Sequence, residues 1–219
     1  MKAIIFDVDG TLVDSVDLHA EAWRRAFERF GKNIDFNAVR NQIGKGGNEL
    51  MPHFFGKKEL EEFGTEMKEF RGKLFKEKFI QKVKPFPKVR DLMLRLKEDE
   101  KLIAVGSSAH KDELDHYLEL VDIKDLLDAT TSADDIERAK PHPDIFQYIT
   151  TKLDVLPGNL LVVGDSPYDA EAAGKAQIQT IGVRCGGFDE AALYEAGMIA
   201  LYDDPADILR QYQSALQNR

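Results

Sequence analysis

The sequence holds a single cysteine, Cys185, and so cannot close an internal disulfide. It has no apolar run approaching the roughly 20 residues that span a bilayer. Its opening residues lack the basic, apolar and small-residue pattern of a secretory leader, and AIIF at 3–6 is too short to act as one. Basic residues are not in excess either: the net charge is −9, which disfavours a nucleic-acid partner. Internal repeats and low-complexity segments are missing too. These absences argue against a disulfide scaffold, a membrane span, a repeat array and a polyanion binder, and leave the expectation of a cytoplasmic globular protein. What is present fits that class: 219 residues, 43% hydrophobic and 32% charged, enough for one large or two small domains.

The charge is unevenly spread. Residues 15–82 hold 14 Lys and Arg against 11 Asp and Glu, together with nine of the 13 phenylalanines, so the acidic excess lies entirely outside them. Two such changes of composition predict an inserted module. Within it, Leu18, Ala22, Trp23, Ala26, Phe27 and Phe30 repeat at helical spacing, and Gly31 is a natural stop. A Gly-rich break, IGKGGNEL at 43–50, leads into a second helical pattern over Leu50–Phe55. Phe63, Met67, Phe70, Leu74 and Phe75 continue a third, and PFP at 85–87 closes the region.

Outside the insert the pattern alternates. AIIF (3–6), LIAVG (102–106), LLDAT (126–130), LLVVG (160–164), TIGV (180–183) and a last segment at 199–202 read as strands. Helical spacing separates them over 89–96, 112–120, 144–153 and 168–176. This predicts an α/β fold: a Rossmann-like parallel sheet with right-handed crossovers as the core, 1–14 and 83–219, with an all-helical domain inserted at 15–82.

Chemistry gathers at the strand ends. AIIF runs into Asp7 and Asp9, LIAVG into Ser107 and Ser108, and LLVVG into Asp165, Ser166 and Asp169; Lys140 precedes Pro141 ahead of a helix. The carboxyl ends of parallel strands meet at one crevice, where ligands bind. Taken alone, DVDG at 7–10 reads equally as a strand exit and turn. Taken together, Asp7, Asp9 and Asp165 are costly neighbours unless a cation neutralises them, and oxygen ligands point to Mg²⁺. A lysine and hydroxyls beside such a cluster suit a phosphate dianion, with Asp7 as nucleophile and Asp9 as general acid and base.

FDVDGT at 6–11, the strand ending at Ser107, Lys140 in AKPHPDIF and GDSPYD at 164–169 resemble, in order, the four motifs of the haloacid dehalogenase superfamily. The likeness is to its phosphatase branch with a helical cap, similar to phosphoglycolate phosphatases and β-phosphoglucomutases. The resemblance implies that Asp7 becomes an aspartyl phosphate and that Asp9 protonates the leaving oxygen and then activates water. It implies that Ser107 bonds the phosphoryl oxygens and that Lys140 holds nucleophile and phosphate together. Mg²⁺ would be held by Asp7, the backbone carbonyl of Asp9 and Asp165, with Asp169 at or just outside the ligand set. Gly10, Thr11 and Ser108 are further substrate-binding candidates, and Ser108 reads alternatively as a helix cap.

In the insert, His19 is a candidate for substrate contact or for hinge geometry, and Lys45 and Asn48 occupy the Gly-rich loop where relatives place specificity residues. Trp23 reads as core packing and Cys185 as structural. One departure is Ala176-Gln177, where relatives often have Ala-Gly; it puts a turn in question and leaves the acid cluster untouched. The leading expectation is a Mg²⁺-dependent phosphatase of a small phosphorylated metabolite, monomeric or weakly dimeric. A phosphosugar mutase is the alternative. A non-catalytic binding protein on the same scaffold fits less well, because Asp7, Asp9, Lys140 and Asp165 are all present.

Overall fold

The computed structural model describes residues 1–217; the last two residues of the range 83–219 lie outside the described residues. The described residues form eight strands: β1 Ala3–Phe6, β2 Val13–Asp14, β3 Lys84–Pro85, β4 Leu102–Gly106, β5 Ala129–Thr131, β6 Leu160–Gly164, β7 Gln179–Val183 and β8 Met198–Tyr202. Six of them form one parallel sheet in the order β5-β4-β1-β6-β7-β8. The helices are α1 Val16–Arg29, α2 Phe36–Arg40, α3 Gly47–Leu50, α4 Lys57–Lys78, α5 Val89–Glu98, α6 Lys111–Leu120, α7 Asp144–Leu153, α8 Pro167–Lys175, α9 Glu190–Glu195 and α10 Pro205–Arg210.

Strand β1 is buried on both faces, which is why its four residues read as an unbroken apolar run. Its side chains alternate between two cores. Ile4 and Phe6 pack with α5, α6 and α10, while Ala3 and Ile5 pack with α7 and α8. A core strand with helices on both faces puts its carboxyl end at the sheet's crevice edge, and Asp7 is the next residue.

Between β2 and β3 the chain is helical, with a core of its own around Val16, Trp23, Phe27, Leu50, Met51 and Met67. Ala22, Phe75 and Phe79 pack into the core of the main sheet instead, so apolar contact is continuous across the two parts. The outgoing and returning chain pair as an antiparallel ribbon, Val13 against Pro85 and Asp14 against Lys84.

Three local expectations change. The strand read at 126–130 is Ala129–Thr131, and Lys124–Leu126 is a 3₁₀ turn. Asp128 sets the entry, because its carboxylate accepts from the Ile103 amide at 2.7 Å and its own amide donates to the Ile103 carbonyl at 2.8 Å. The helix read over 50–55 splits into the end of α3 and a 3₁₀ turn Met51–His53, since Pro52 has no amide with which to continue the α ladder. At the departure from Ala-Gly, Gln177 takes φ +61, the left-handed conformation that glycine enters without steric cost. The turn geometry is therefore kept by a residue with a side chain.

Candidate active site

Strand alternation puts Asp7 and Asp9 on one side of the chain and sends Val8 into the core. The Asp7 amide continues the sheet by donating to the Val163 carbonyl at 2.9 Å, and Gly10 at φ +84 then turns the backbone under the crevice. That turn must be bare: a Cβ on Gly10 would lie 2.2 Å from Oδ2 of Asp165. Gly10 therefore serves the acid cluster by its lack of a side chain.

The cluster is dense and buried. Lys140 Nζ donates to Oδ1 of Asp7, sits 2.7 Å from Oδ1 of Asp169, and donates to the Gly106 carbonyl at 3.2 Å. Oδ2 of Asp169 accepts from the amide and hydroxyl of Ser166 at 3.1 and 2.7 Å, which closes the first turn of α8. The Thr11 hydroxyl donates to Oδ2 of Asp7 at 3.2 Å and reaches Oδ1 of Asp165 at 3.5 Å, so it faces the carboxylates. Carboxylate oxygens of Asp7, Asp165 and Asp169 all lie within 4.8 Å of one another.

Three acids against one ammonium leave uncompensated negative charge in a buried space. Burial pushes Asp7 up to about 7, with Asp169 and Asp9 adding to the effect and Lys140 opposing it. Burial and the charges of Asp7 and Asp169 likewise raise Asp165 well above the usual carboxylate range. For Lys140, burial favours the neutral amine, but Asp169 and Asp7 outweigh it and the ammonium is held above its ordinary range. A hard dication bound by oxygen fits this donor set and would relieve the repulsion.

Asp9 stands in the opposite state. Burial favours its neutral form, yet His19, Ser15 and Arg71 together hold its carboxyl below the ordinary range. Its Oδ1 accepts from the Ser15 hydroxyl at 2.5 Å and from His19 Nε2 at 2.8 Å. His19 is buried, stacked on Phe75 with ring centres 4.0 Å apart, and its Nδ1 faces Arg71. Glu113 and Tyr117 of α6 reach the same imidazole, at 3.6 and 3.2 Å from Nε2.

Above Asp7 and Asp9 lies a cavity of about 120 Å³, bordered on the helical side by Trp23, Lys45, Lys68 and Arg71 and on the sheet side by Ser108 and Glu113. Ser107 is fully buried behind it, and its Oγ accepts from the Ala109 amide at 3.0 Å. Ser108 does not cap α6, whose N-cap is His110; its hydroxyl points across to the Gly44 carbonyl at 3.4 Å. Lys45 borders the cavity, although its ammonium already meets Gln42 and His53 at 2.6 and 2.7 Å. Asn48 is exposed, does not border the cavity, and accepts from Lys68 at 2.9 Å. Its expected place is taken by Lys68 and Arg71, one turn apart on α4.

Arg71, Glu113 and Tyr117 were not among the residues expected at the site. Each leaves a sequence signal. Arg71 lies on the buried stripe Met67–Arg71–Phe75, where a charge is out of place, and Glu113 falls on the buried face of α6 with Leu114, Tyr117 and Leu118.

A family model described as haloacid dehalogenase-like hydrolase matches residues 4–183. The chain belongs to this family. Enzymes of the haloacid dehalogenase-like family that act as phosphatases generally use a divalent metal, and the Asp7–Asp165–Asp169 cluster is able to hold one. A phosphorylated carbohydrates phosphatase of Thermotoga maritima is 31% identical over 99% of this chain and all of its own length. A solved structure from Thermotoga maritima, named for β-phosphoglucomutase, is 32% identical with a TM-score of 0.69 and covers 99% of this chain and 100% of its own. The hydrolase structure from Pseudomonas syringae shares the fold at a TM-score of 0.85, with 24% identity, over 98% of this chain and 99% of its own. No helix among the described residues is long and apolar enough to cross a membrane.

Proposed function

We propose that the protein is a Mg²⁺-dependent phosphatase that hydrolyses a small phosphorylated metabolite through an aspartyl phosphate on Asp7, with residues 15–82 as a cap over the site. The observation that carries this reading is the electrostatic split between Asp7 and Asp9, two residues apart under one cavity: one lies in an acid cluster that needs a cation, the other is held as a carboxylate by Ser15 and His19. Bound Mg²⁺, held by Asp7, the Asp9 carbonyl, Asp165 and Asp169, would withdraw charge from the phosphoryl oxygens and allow a dianion to approach.

Asp7 is the nucleophile, and Lys140 keeps its carboxylate oriented. As the carboxylate oxygen bonds to phosphorus, the bond to the leaving oxygen breaks, and Asp9, having first taken up a proton from solvent, passes that proton to the leaving oxygen. Asp9 then takes a proton from the water that attacks the acyl phosphate, returning Asp7 to its free form. Both hydrogen bonds to Asp9 fall on Oδ1, which leaves Oδ2 for these transfers. Ser107 and Ser108 supply hydroxyls at the phosphoryl end. The cap keeps bulk water out while the acyl phosphate forms. The reading takes the enzyme as cytoplasmic and monomeric or weakly dimeric.

Phosphate release from a panel of sugar phosphates and phosphoglycolate tests this reading. Turnover that needs Mg²⁺, stops in chelator and disappears in Asp7→Asn is the expected result; hydrolysis undiminished in excess chelator would reject the metal's role. The mutase alternative draws support from the 32% identical structure named for β-phosphoglucomutase. Weighing against it, Arg71, an arginine that borders the cavity, is already engaged with His19 and Glu113. Supplying β-glucose 1-phosphate with a trace of the 1,6-bisphosphate separates the two: a hydrolase releases phosphate, a mutase accumulates glucose 6-phosphate.

A further inference from the structure

We propose that Arg40 is a positioning residue that clasps the wall of the acid cluster from the helical segment, so that metal retention and the seating of residues 43–47 over the crevice are one linked event. The proposal rests on the reading that the acid cluster binds a divalent cation. Arg40 is the last residue of α2 and its guanidinium makes three contacts. Nη2 donates to the Gly186 carbonyl at 2.7 Å, Nη1 to the Gly187 carbonyl at 3.1 Å, and Nε to Oδ1 of Asp17 at 2.6 Å. A planar fork presents two N–H groups at a fixed spacing to two successive carbonyls, a geometry that a lysine's single ammonium does not preset.

The loop it holds is part of the site. A Cβ on Gly186 would lie 1.8 Å from Oδ2 of Asp165, so the backbone there forms the wall against which that carboxylate rests. A Cβ on Gly187, whose φ is +76, would lie 2.5 Å from Nη2 of Arg40. The two consecutive glycines thus face opposite ways: one makes room for the metal-site acid, the other for the arginine that grips the loop. Cys185, just before them, donates to the Gly10 carbonyl at 3.2 Å and ties the same loop to the turn after Asp9. On the other side of Arg40 the chain runs directly into Ile43, Gly44 and Lys45, which border the cavity.

A displacement of Arg40 therefore moves both the cavity-bordering loop and the support behind Asp165. The ion pair with Asp17 contributes little by itself, because Asp17 is 66% exposed. The charge-assisted bonds to the loop carbonyls are what connect the two sites. By linkage, whatever closure adds to metal affinity, bound metal returns to closure by the same factor.

The test is binding of Mg²⁺ alone to the whole chain, read by titration calorimetry and by the Mg²⁺-induced rise in Tm, without substrate. Arg40→Ala is expected to weaken Mg²⁺ binding by about fivefold or more, the lower end of typical coupling between sites. Gly187→Ala strikes the same clasp from the other side and is expected to reproduce the loss. The double variant should bind no more weakly than the worse single one, because both remove one interaction. Asp17→Asn should stay within about twofold of the unaltered chain, the ordinary spread for an uncoupled change. Should Arg40→Ala fail to fold, Arg40→Lys keeps a cation without the fork and is expected to weaken binding in the same direction.

A merely structural Arg40 would lower Tm in chelator while leaving Mg²⁺ affinity unmoved, and that result overturns the proposal, as do fully additive effects in the double variant. If the unaltered chain binds no Mg²⁺, this inference and the phosphatase reading fall together. If it binds and the Arg40 variants bind equally well, only this inference falls.

Discussion

Arg71 of α4 donates to Nδ1 of His19 on α1, and because a guanidinium carries only donors, that nitrogen is the one without a hydrogen. The remaining hydrogen is then on Nε2, which donates to Oδ1 of Asp9 at 2.8 Å. The tautomer of His19, and with it the hydrogen bond that His19 offers Asp9, is set by a residue 52 positions away in the chain.

His19→Ala removes the largest of the influences that hold Asp9 low, so the Asp9 carboxyl should rise toward and past its ordinary value under burial. Water activation, which follows release of the leaving group, needs the ionised form, hence the acidic limb of the kcat profile should move to higher pH. The loss at optimum pH should stay below the roughly 10²- to 10⁴-fold expected for losing Asp9 itself. A profile with an unmoved acidic limb would separate His19 from Asp9.

Lys140→Met removes the ammonium shared by Asp7 and Asp169. Breaking a buried pair by deleting one partner costs about 3–5 kcal/mol, and Asp7, already raised to about 7, can limit the loss by taking up a proton. We expect a stability loss toward the low end of that range at neutral pH in chelator, partly reversed by Mg²⁺, together with loss of turnover. Denaturant titrations with and without Mg²⁺ measure both.

The stabilisation conferred by Mg²⁺ should depend on pH. Asp7 in the folded metal-free chain keeps its proton up to about pH 7, whereas its ordinary value is 3.8. Between those values the folded state binds more protons than the unfolded one, so stability from this group falls as pH rises through the window. Asp165 acts in the same direction. Protons and metal compete for these oxygens. The Mg²⁺-induced rise in Tm should be small near pH 5 and grow through pH 7; a rise that is constant over that range would count against the cluster as the binding site.

Gly46 sits at the seam between the helical segment and the sheet, and a Cβ there would lie 2.4 Å from the Cβ of Ala139. Its φ of −69 suits any residue, so Gly46→Ala is a test of space and not of backbone strain. The methyl should hold the 43–47 loop off the crevice, raising KM while shifting Tm by only a few degrees, as about 1 kcal/mol does in a chain of this size. Steady-state kinetics beside a melting curve decides it.

Much of this protein was legible in its residues because the relevant forces are local. A short apolar run such as AIIF with its two isoleucines favours a buried strand, and a strand's end is a fixed place in a parallel sheet, so Asp7, Asp9, Lys140 and Asp165 could be assigned to one crevice. The helical spacing over 18–30 and 63–75 falls on α1 and α4. Asn48 and the neighbours of His19 behaved differently. Which side of the Gly-rich loop faces the cavity depends on how α4 packs against α1, and that packing turned Asn48 outward to Lys68 and brought Arg71 to His19. Glu113 and Tyr117 joined them only because folding brings α6, which follows β4, within reach of His19 on α1. The same holds for Arg40, whose partners Gly186 and Gly187 are 146 and 147 positions away. Sequence by itself determined the chemistry, since a carboxylate or an ammonium keeps its character anywhere. Tertiary structure alone decided which carboxylate is raised, which is lowered and what each can touch, because burial and charge–charge distance exist only between surfaces that folding brings together.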